Sequence, residues 1–426
     1  MVTSTLTSYV YQDLELSNTM LVTILLAAVF LGGKQPTRQA MRRLLNPGDF
    51  WGKVWLYSPH RQVWSGMKRA LPPVVSRKVR SGVRTASKMM LGRSALRKLA
   101  LIKFLRYKHS QKHGHHATKG RHNRTINLYR RMPLKTLSRL WGKFNQMELP
   151  IFLRKPLLGL YIWMFGCNIE EAEIEDLKLY RNLGEFFRRQ LKPHVRPIDN
   201  EHILTSPADG KILYYGEVKN GILEQVKGVT YSLRGFLGPQ TWTASPQVQD
   251  VSHISDEDYQ KVLSLKPGNE LYHVIVYLAP GDYHRFHSPA TWTIHHRRHF
   301  PGELLSVNPG VARWLQGLFN FNERAVYTGE WEHGFFSMAA VGATNVGSIK
   351  IYCDEELETN TRTKHPEYTY FDKRFTTPVE VEKGDMFGEF NLGSTMVLIF
   401  EAPSGFVFKV KEGDKIKYGR PLGTAP

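Results

Sequence analysis

Apolar positions along this chain fall into several distinct textures. From Met20 to Gly33 (MLVTILLAAVFLGG) they run unbroken and uncharged. At 1.5 Å rise per residue, about 14 residues fall short of a ~30 Å hydrocarbon core, so the stretch spans a bilayer only with flanking help. Between Arg77 and Arg106 aliphatic residues recur among arginines and lysines in a way that winds into a basic helix with an apolar stripe. Order is expected to resume near Leu134. Trp141 to Cys167 is dense in aromatics and aliphatics, and Pro156 is expected to break Leu149–Phe165 into pieces too short to span. That pattern suits an element lying against a bilayer and, equally, an ordinary core helix. Glu170 to Leu191 reads as helix, with Asn182 and Glu185 offering a capping box before Phe186, Phe187 and Leu191, and with Pro193 and Pro197 ending it.

From Ile203 onward the pattern changes to short strand-forming runs separated by Gly, Pro, Asn and Asp. Lys211–Tyr215, Leu271–Leu278, Ser348–Cys353, Met396–Phe400 and Phe406–Val410 are the clearest. Two similar stretches, Val381-Glu-Lys-Gly-Asp and Val410-Lys-Glu-Gly-Asp, each place a strand before a tight Gly-Asp turn. The expected fold class is therefore α+β: a mostly antiparallel, sandwich-like β core preceded by membrane-associated amphipathic helices.

Charge sharpens the domain boundary. The chain of 426 residues carries a formal +20, yet residues 34–143 hold 28 Lys or Arg against one acid, Asp49. The body after them is mildly acidic, which argues against nucleic acid as partner of the whole protein. We expect residues 1–133 to form a largely disordered basic region that targets or anchors the chain, and residues 134–426 to form the folded domain that carries its function. The Arg- and Ser-rich, acid-poor composition is that of a mitochondrial targeting segment and also of a basic arm touching anionic lipid. Lys108–Arg124 is His-rich without regular ligand spacing and reads as linker. Cys167 and Cys353 supply no disulfide framework and no metal-ligand spacing.

Three motifs can carry chemistry. In Asn391-Leu-Gly-Ser-Thr-Met396, Ser394 sits at the mouth of the apolar run Met396–Phe400, and Gly393 before it leaves the preceding carbonyl unshielded and tolerates strained angles. In Leu278-Ala-Pro-Gly-Asp-Tyr-His-Arg-Phe-His-Ser-Pro289, a strand ends in a turn bearing His284 and His287, and imidazole suits proton abstraction from a hydroxyl near neutral pH. A metal pair is the rival, though no carboxylate or cysteine follows at zinc-like spacing. In Ser206-Pro-Ala-Asp-Gly-Lys211, Asp209 can orient an imidazole or simply cap a turn. Each motif alone has a bland reading; together they outline nucleophile, base and orienting acid. A hydrolase elbow is disfavoured because Leu392 and Met396 stand where Gly-x-Ser-x-Gly needs glycine.

In this order the three motifs resemble phosphatidylserine decarboxylase. Gln225–Leu233, Arg298–Gly302, Ser306–Pro309 and Val341–Ile349 resemble its animal mitochondrial branch, and the resemblance runs from about Leu134 to the end. It implies a self-cleavage triad of Asp209, His287 and Ser394, with His287 deprotonating Ser394 and Asp209 orienting His287. Cleavage at Gly393–Ser394 then leaves a β chain ending at Gly393 and an α chain, residues 394–426, that starts with a covalent pyruvoyl group made from Ser394. That group forms a Schiff base with the serine headgroup amine and draws off the electrons freed as carbon dioxide departs. His284 is the candidate proton donor or headgroup-positioning residue. The resemblance further implies a membrane phosphatidylserine substrate, associated α and β chains, no metal, room for a homodimer, and location at the mitochondrial inner membrane. The alternative location is the ER or a lipid-droplet membrane, reached through the N-terminal apolar segment.

Overall fold

A computed structural model describes residues 134–240, 255–263, 266–344, 348–366, 369–391 and 393–425. Met20–Gly33, the basic stretch Arg77–Arg106 and the His-rich Lys108–Arg124 lie outside them.

Three helices come first: α1 (Leu134–Asn145), α2 (Ile151–Phe165) and α3 (Leu183–Phe187). Trp141, Leu158, Tyr161, Phe186 and Phe187 form a small apolar core with them, while Leu137, Leu140, Ile151, Phe152 and Trp163 stay exposed. No described helix is long and apolar enough to cross a membrane.

Two expectations are corrected here. Pro156 does not break the apolar segment, because α2 runs through it and ends at Gly166, which takes the left-handed conformation at φ +66°. The proline costs one intrahelical hydrogen bond, and the packing of Leu153 and Leu158 on either side offsets it. The helix expected over Glu170–Leu191 is confined to α3. Upstream, the side chains of Asn168 and Asp176 accept from the backbone N–H groups of Glu170 and Lys178, local bonds that compete with helix formation. Asn182 does cap α3, accepting from the Glu185 N–H at 2.8 Å, but the Glu185 carboxylate accepts from the Arg181 N–H instead of closing the box.

The strands in chain order begin with β1 (Leu204–Thr205), β2 (Gly210–Glu217), β3 (Ile222–Val226), β4 (Val229–Ser232), β5 (Asn269–Leu278) and β6 (Arg285–His287). Next come β7 (Trp292–Phe300), β8 (Arg324–Trp331), β9 (Gly334–Gly342), β10 (Ile349–Ile351) and β11 (Phe371–Val381). The last are β12 (Met386–Phe390), β13 (Ser394–Pro403), β14 (Val407–Phe408), β15 (Lys415–Ile416) and β16 (Pro421–Thr424). An eight-stranded antiparallel sheet of order β11-β7-β8-β9-β13-β5-β2-β15 forms the centre, with two small sheets, β1-β16-β14 and β10-β12-β6, and the hairpin β3-β4.

Strand β13 shows why its apolar run is continuous. Met396, Leu398 and Phe400 enter one core with Phe286, Phe387, Phe390 and Leu422 from the small sheets. Val397 and Ile399 enter a second core with Phe236, Tyr259 and Phe319 from short helices. Successive side chains of a strand point to opposite faces, so a strand covered on both sides needs no polar alternation. The main sheet is thus covered by small sheets on one face and by helices with a hairpin on the other, three layers where a sandwich has two.

Candidate active site

The three motifs converge through main-chain hydrogen bonds. Strand β5 ends at Leu278, which lies opposite Ser394 in the β13 register, and the turn after it delivers His284 and then His287. The Phe390 N–H donates to the His284 carbonyl at 3.0 Å, and the His287 N–H to the Pro207 carbonyl at 2.8 Å. These two bonds tie the histidine turn to the strand before Ser394 on one side and to the Asp209 turn on the other.

His287 is buried. Its Nδ1 lies 2.9 Å from the Gly384 carbonyl, which can only accept, so Nδ1 carries the proton and Nε2 is the basic nitrogen. Burial pushes the imidazole down to about 4, the Gly384 bond opposing that shift. Nε2 meets the Tyr283 hydroxyl at 3.3 Å, and the ring stacks face to face on Tyr418, with centroids 3.8 Å apart and planes 2° apart. Gly384 belongs to the first of the two Val-x-x-Gly-Asp turns. Both copies fold alike: Asp385 and Asp414 each accept from the N–H three residues back, at Glu382 and Lys411, and Gly384 and Gly413 adopt φ +95° and +90°.

Asp209 is placed differently from the sequence expectation. Its carboxylate accepts from Arg196 Nε at 3.2 Å, from an Arg196 terminal nitrogen at 2.7 Å, and from the Tyr418 N–H at 2.9 Å. No hydrogen bond joins Asp209 to His287, whose Nδ1 is held by the Gly384 carbonyl. Arg196 also holds Glu171 at 2.6 Å, so one buried guanidinium joins two carboxylates. Asp209 is nonetheless near enough for its charge to favour the protonated form of His287.

His284 is fully buried beneath Phe187, their ring centroids 3.9 Å apart. Nδ1 donates to the Asp282 carbonyl at 2.9 Å, which leaves Nε2 as a bare base with no hydrogen-bond partner. Burial pushes this imidazole down to about 3 and the neighbouring Asp282 carboxyl up to about 6. Helix α2 braces this turn: the Tyr161 hydroxyl donates to the Pro280 carbonyl at 2.8 Å, and a Cβ on Gly281 would fall 2.0 Å from the Phe165 carbonyl oxygen. Cys167, just beyond α2, is buried with its thiol pushed up to about 11 by burial, an unreactive state.

Ser394 opens β13 with no exposed surface, and its Oγ has no hydrogen-bond partner, neither histidine included. A buried hydroxyl without a partner costs about 1–3 kcal/mol, and folded proteins keep few of them; the Thr395 and Ser337 hydroxyls share that state, so it is the glycine before Ser394 that sets this one apart. Gly393 before it sits at φ +36°, where L side chains are rare, and only the Thr344 carbonyl oxygen, at 3.8 Å, comes near the space a Cβ would fill. Backbone angle and not crowding therefore selects glycine there. An orphaned, desolvated hydroxyl next to an unshielded carbonyl fits a group that the chain makes from its own serine. Sequence reasoning missed Arg196, Tyr283, Gly384 and Tyr418. Only the repeated Gly-Asp turn carried a signal for one of them.

A central antiparallel sheet thus carries a buried serine at the start of β13 and two buried histidines on the turn that follows the neighbouring strand β5. The family model for phosphatidylserine decarboxylase matches residues 183–424. The chain is 56% identical over 304 residues to a mitochondrial phosphatidylserine decarboxylase proenzyme of Cricetulus griseus, covering 70% of this chain and 74% of that one. It is 42% identical over 351 residues to the mitochondrial proenzyme 1 of Schizosaccharomyces pombe (68% and 80% covered) and 40% identical over 304 residues to the mitochondrial proenzyme of Caenorhabditis elegans (70% and 74%). The chain belongs to the phosphatidylserine decarboxylase family.

Proposed function

We infer that this chain is a mitochondrial enzyme that converts phosphatidylserine to phosphatidylethanolamine and carbon dioxide after cutting itself between Gly393 and Ser394. The observation that carries the cut site is the Ser394 hydroxyl, buried and unpaired directly after a glycine in left-handed backbone. His287 Nε2 takes the hydroxyl proton, and Ser394 Oγ attacks the Gly393 carbonyl carbon, turning the amide into an ester. Elimination across Cα–Cβ of residue 394 then releases the β chain as a carboxylate at Gly393. The resulting dehydroalanine adds water and loses ammonia, leaving a ketone at the new N-terminus.

Tyr283, bonded to the same Nε2, passes the proton or yields its place to Ser394. Gly384 fixes the tautomer that makes Nε2 basic. Asp209 acts at one remove: it holds the Tyr418 backbone, whose ring orients His287, and its charge stabilises the imidazolium formed during attack. The pyruvoyl ketone supplies an electron sink that no side chain offers. His284, neutral at rest, suits holding the headgroup amine or receiving a proton; it can deliver one to the substrate carbon only after acquiring it within the reaction. Residues 1–133 serve as a targeting and anchoring region for the inner membrane, and the exposed apolar side chains of α1 and α2 bring the catalytic domain, residues 134–426, to the bilayer surface.

Expressed with Ser394→Ala, the chain should run as one band on a denaturing gel and release no carbon dioxide from phosphatidylserine. A cut product from that variant would refute the mechanism.

A further inference from the structure

Beside the buried site lies a cavity of about 180 Å³. Arg139, Lys143 and Asn145 of α1 line it, with Phe187, Ser348 and Asn391. The chemistry of this lining is one-sided. Arg139 and Lys143 stand one helical turn apart on the same face, and among the described residues neither has a carboxylate within ion-pair distance. Arg139 instead donates to Asn360 and to the Thr361 carbonyl. No acid lines the cavity.

Asn145 provides the independent sign of a ligand. It is 3% exposed, and both its amide oxygen and its amide nitrogen lack a hydrogen-bond partner. Buried amides are almost always satisfied, so an unsatisfied one lining a cavity marks the place of a polar occupant. The position of the cavity narrows the choice of occupant. The Phe187 ring that forms one wall packs on His284, and Asn391 stands three residues before Ser394. On the outer side, α1 exposes Leu137 and Leu140, an apolar ridge beside the basic one.

We propose that this cavity is the phosphodiester subsite for the lipid headgroup: Arg139 and Lys143 hold the phosphate anion, Asn145 bonds its ester and headgroup oxygens, and the acyl chains leave across Leu137 and Leu140. This rests on the decarboxylase reading, and it assigns specificity to a helix outside residues 183–424, the span shared with the family model.

The test uses the full chain with Ser394→Ala, so that binding is read without catalysis. Titration with glycerophosphoserine should saturate, and Lys143→Glu or Arg139→Gln should each weaken binding about tenfold or more, as expected for a lost charge-assisted hydrogen bond. Arg139→Lys should recover most of the loss, and free serine should not compete. With Ser394 intact, Lys143→Glu should raise KM for phosphatidylserine in phosphatidylcholine vesicles by a similar factor. Self-cleavage and flotation with pure phosphatidylcholine vesicles should stay unchanged. Equal glycerophosphoserine affinity in parent and variants, or a deficit that appears equally in flotation with pure phosphatidylcholine, overturns the proposal. Inorganic phosphate binding as tightly as glycerophosphoserine would reassign the cavity to free phosphate and overturn it too. An unsubstituted chain that releases no carbon dioxide from phosphatidylserine would refute the underlying reading while leaving the binding comparison interpretable.

Discussion

A hydroxyl that finds no partner and a glycine at φ +36° are small features, and the proposed cut site rests on them. Gly393→Ala adds a methyl group into open space, so its effect is conformational: placing an L residue in the left-handed region costs about 1–2 kcal/mol. The expected outcome is slower self-cleavage with the melting temperature of the uncut chain lowered by a few degrees, read from a gel time course beside a melting curve. Asp209 illustrates a different dependence. Asp209→Asn removes charge from a buried pair with Arg196, and hydrogen bonds to charged groups are worth about 1.5–3 kcal/mol. Glu171 remains as the guanidinium's second partner, so the unfolding free energy should fall by an amount in that range, read as a lower denaturation midpoint, and self-cleavage should slow with it. If cleavage were lost with no loss of stability, Asp209 would act on His287 directly and not through Arg196 and Tyr418.

Elements explain which parts of the site were legible in the sequence. Strands β5 and β13 were visible because both faces are buried, and their apolar runs survive any choice of register partner. Residues 170–182 were not, since Asn168 and Asp176 divert backbone groups that a helix would have used. Tyr418, Arg196 and Gly384 reach His287 or Asp209 across long sequence separations, and no local pattern announces such contacts. The bracing of the histidine turn by α2 is likewise a tertiary feature. Gly281→Ala would force a Cβ to within 2.0 Å of the Phe165 carbonyl, so it should push α2 away from the turn, lower stability and slow self-cleavage, as circular dichroism melts and the gel assay would report.

Three of the buried histidines also give the elements a pH dependence. Burial holds His273 on β5 at about 4, His284 at about 3 and His287 at about 4, against an ordinary value of about 6.5 in the unfolded chain. Between those limits the unfolded state binds more protons at these three sites, so their contribution to stability rises with pH through the window and is complete above about 6.5, with the raised Asp282 carboxyl opposing it in part. Urea midpoints should therefore fall as pH drops from 6.5 toward 4. A flat profile there would mean that the imidazoles are charged in the folded protein.

At the scale of the whole molecule, the proposed cut between Gly393 and Ser394 would fall at the entrance to the central sheet and leave that sheet unopened. Strand β13 pairs antiparallel with β5 from Ser394 to Pro403 and with β9 from Ser394 to Phe400. The fragment 394–426 also supplies β14, β15 and β16, which pair within the small sheet and with β2. The α and β chains should therefore co-elute on size exclusion and separate only in denaturant. The class of fold was legible in the sequence at this scale; the layer of short helices was not, because helices of four to eight residues leave too little periodicity to read. The most direct test of the central claim is the intact mass of the small fragment from purified protein. The account predicts a fragment of residues 394–426 whose first residue is a pyruvoyl group, blocked to amine reagents. A fragment beginning with an ordinary amine, or a chain with no break, would contradict it.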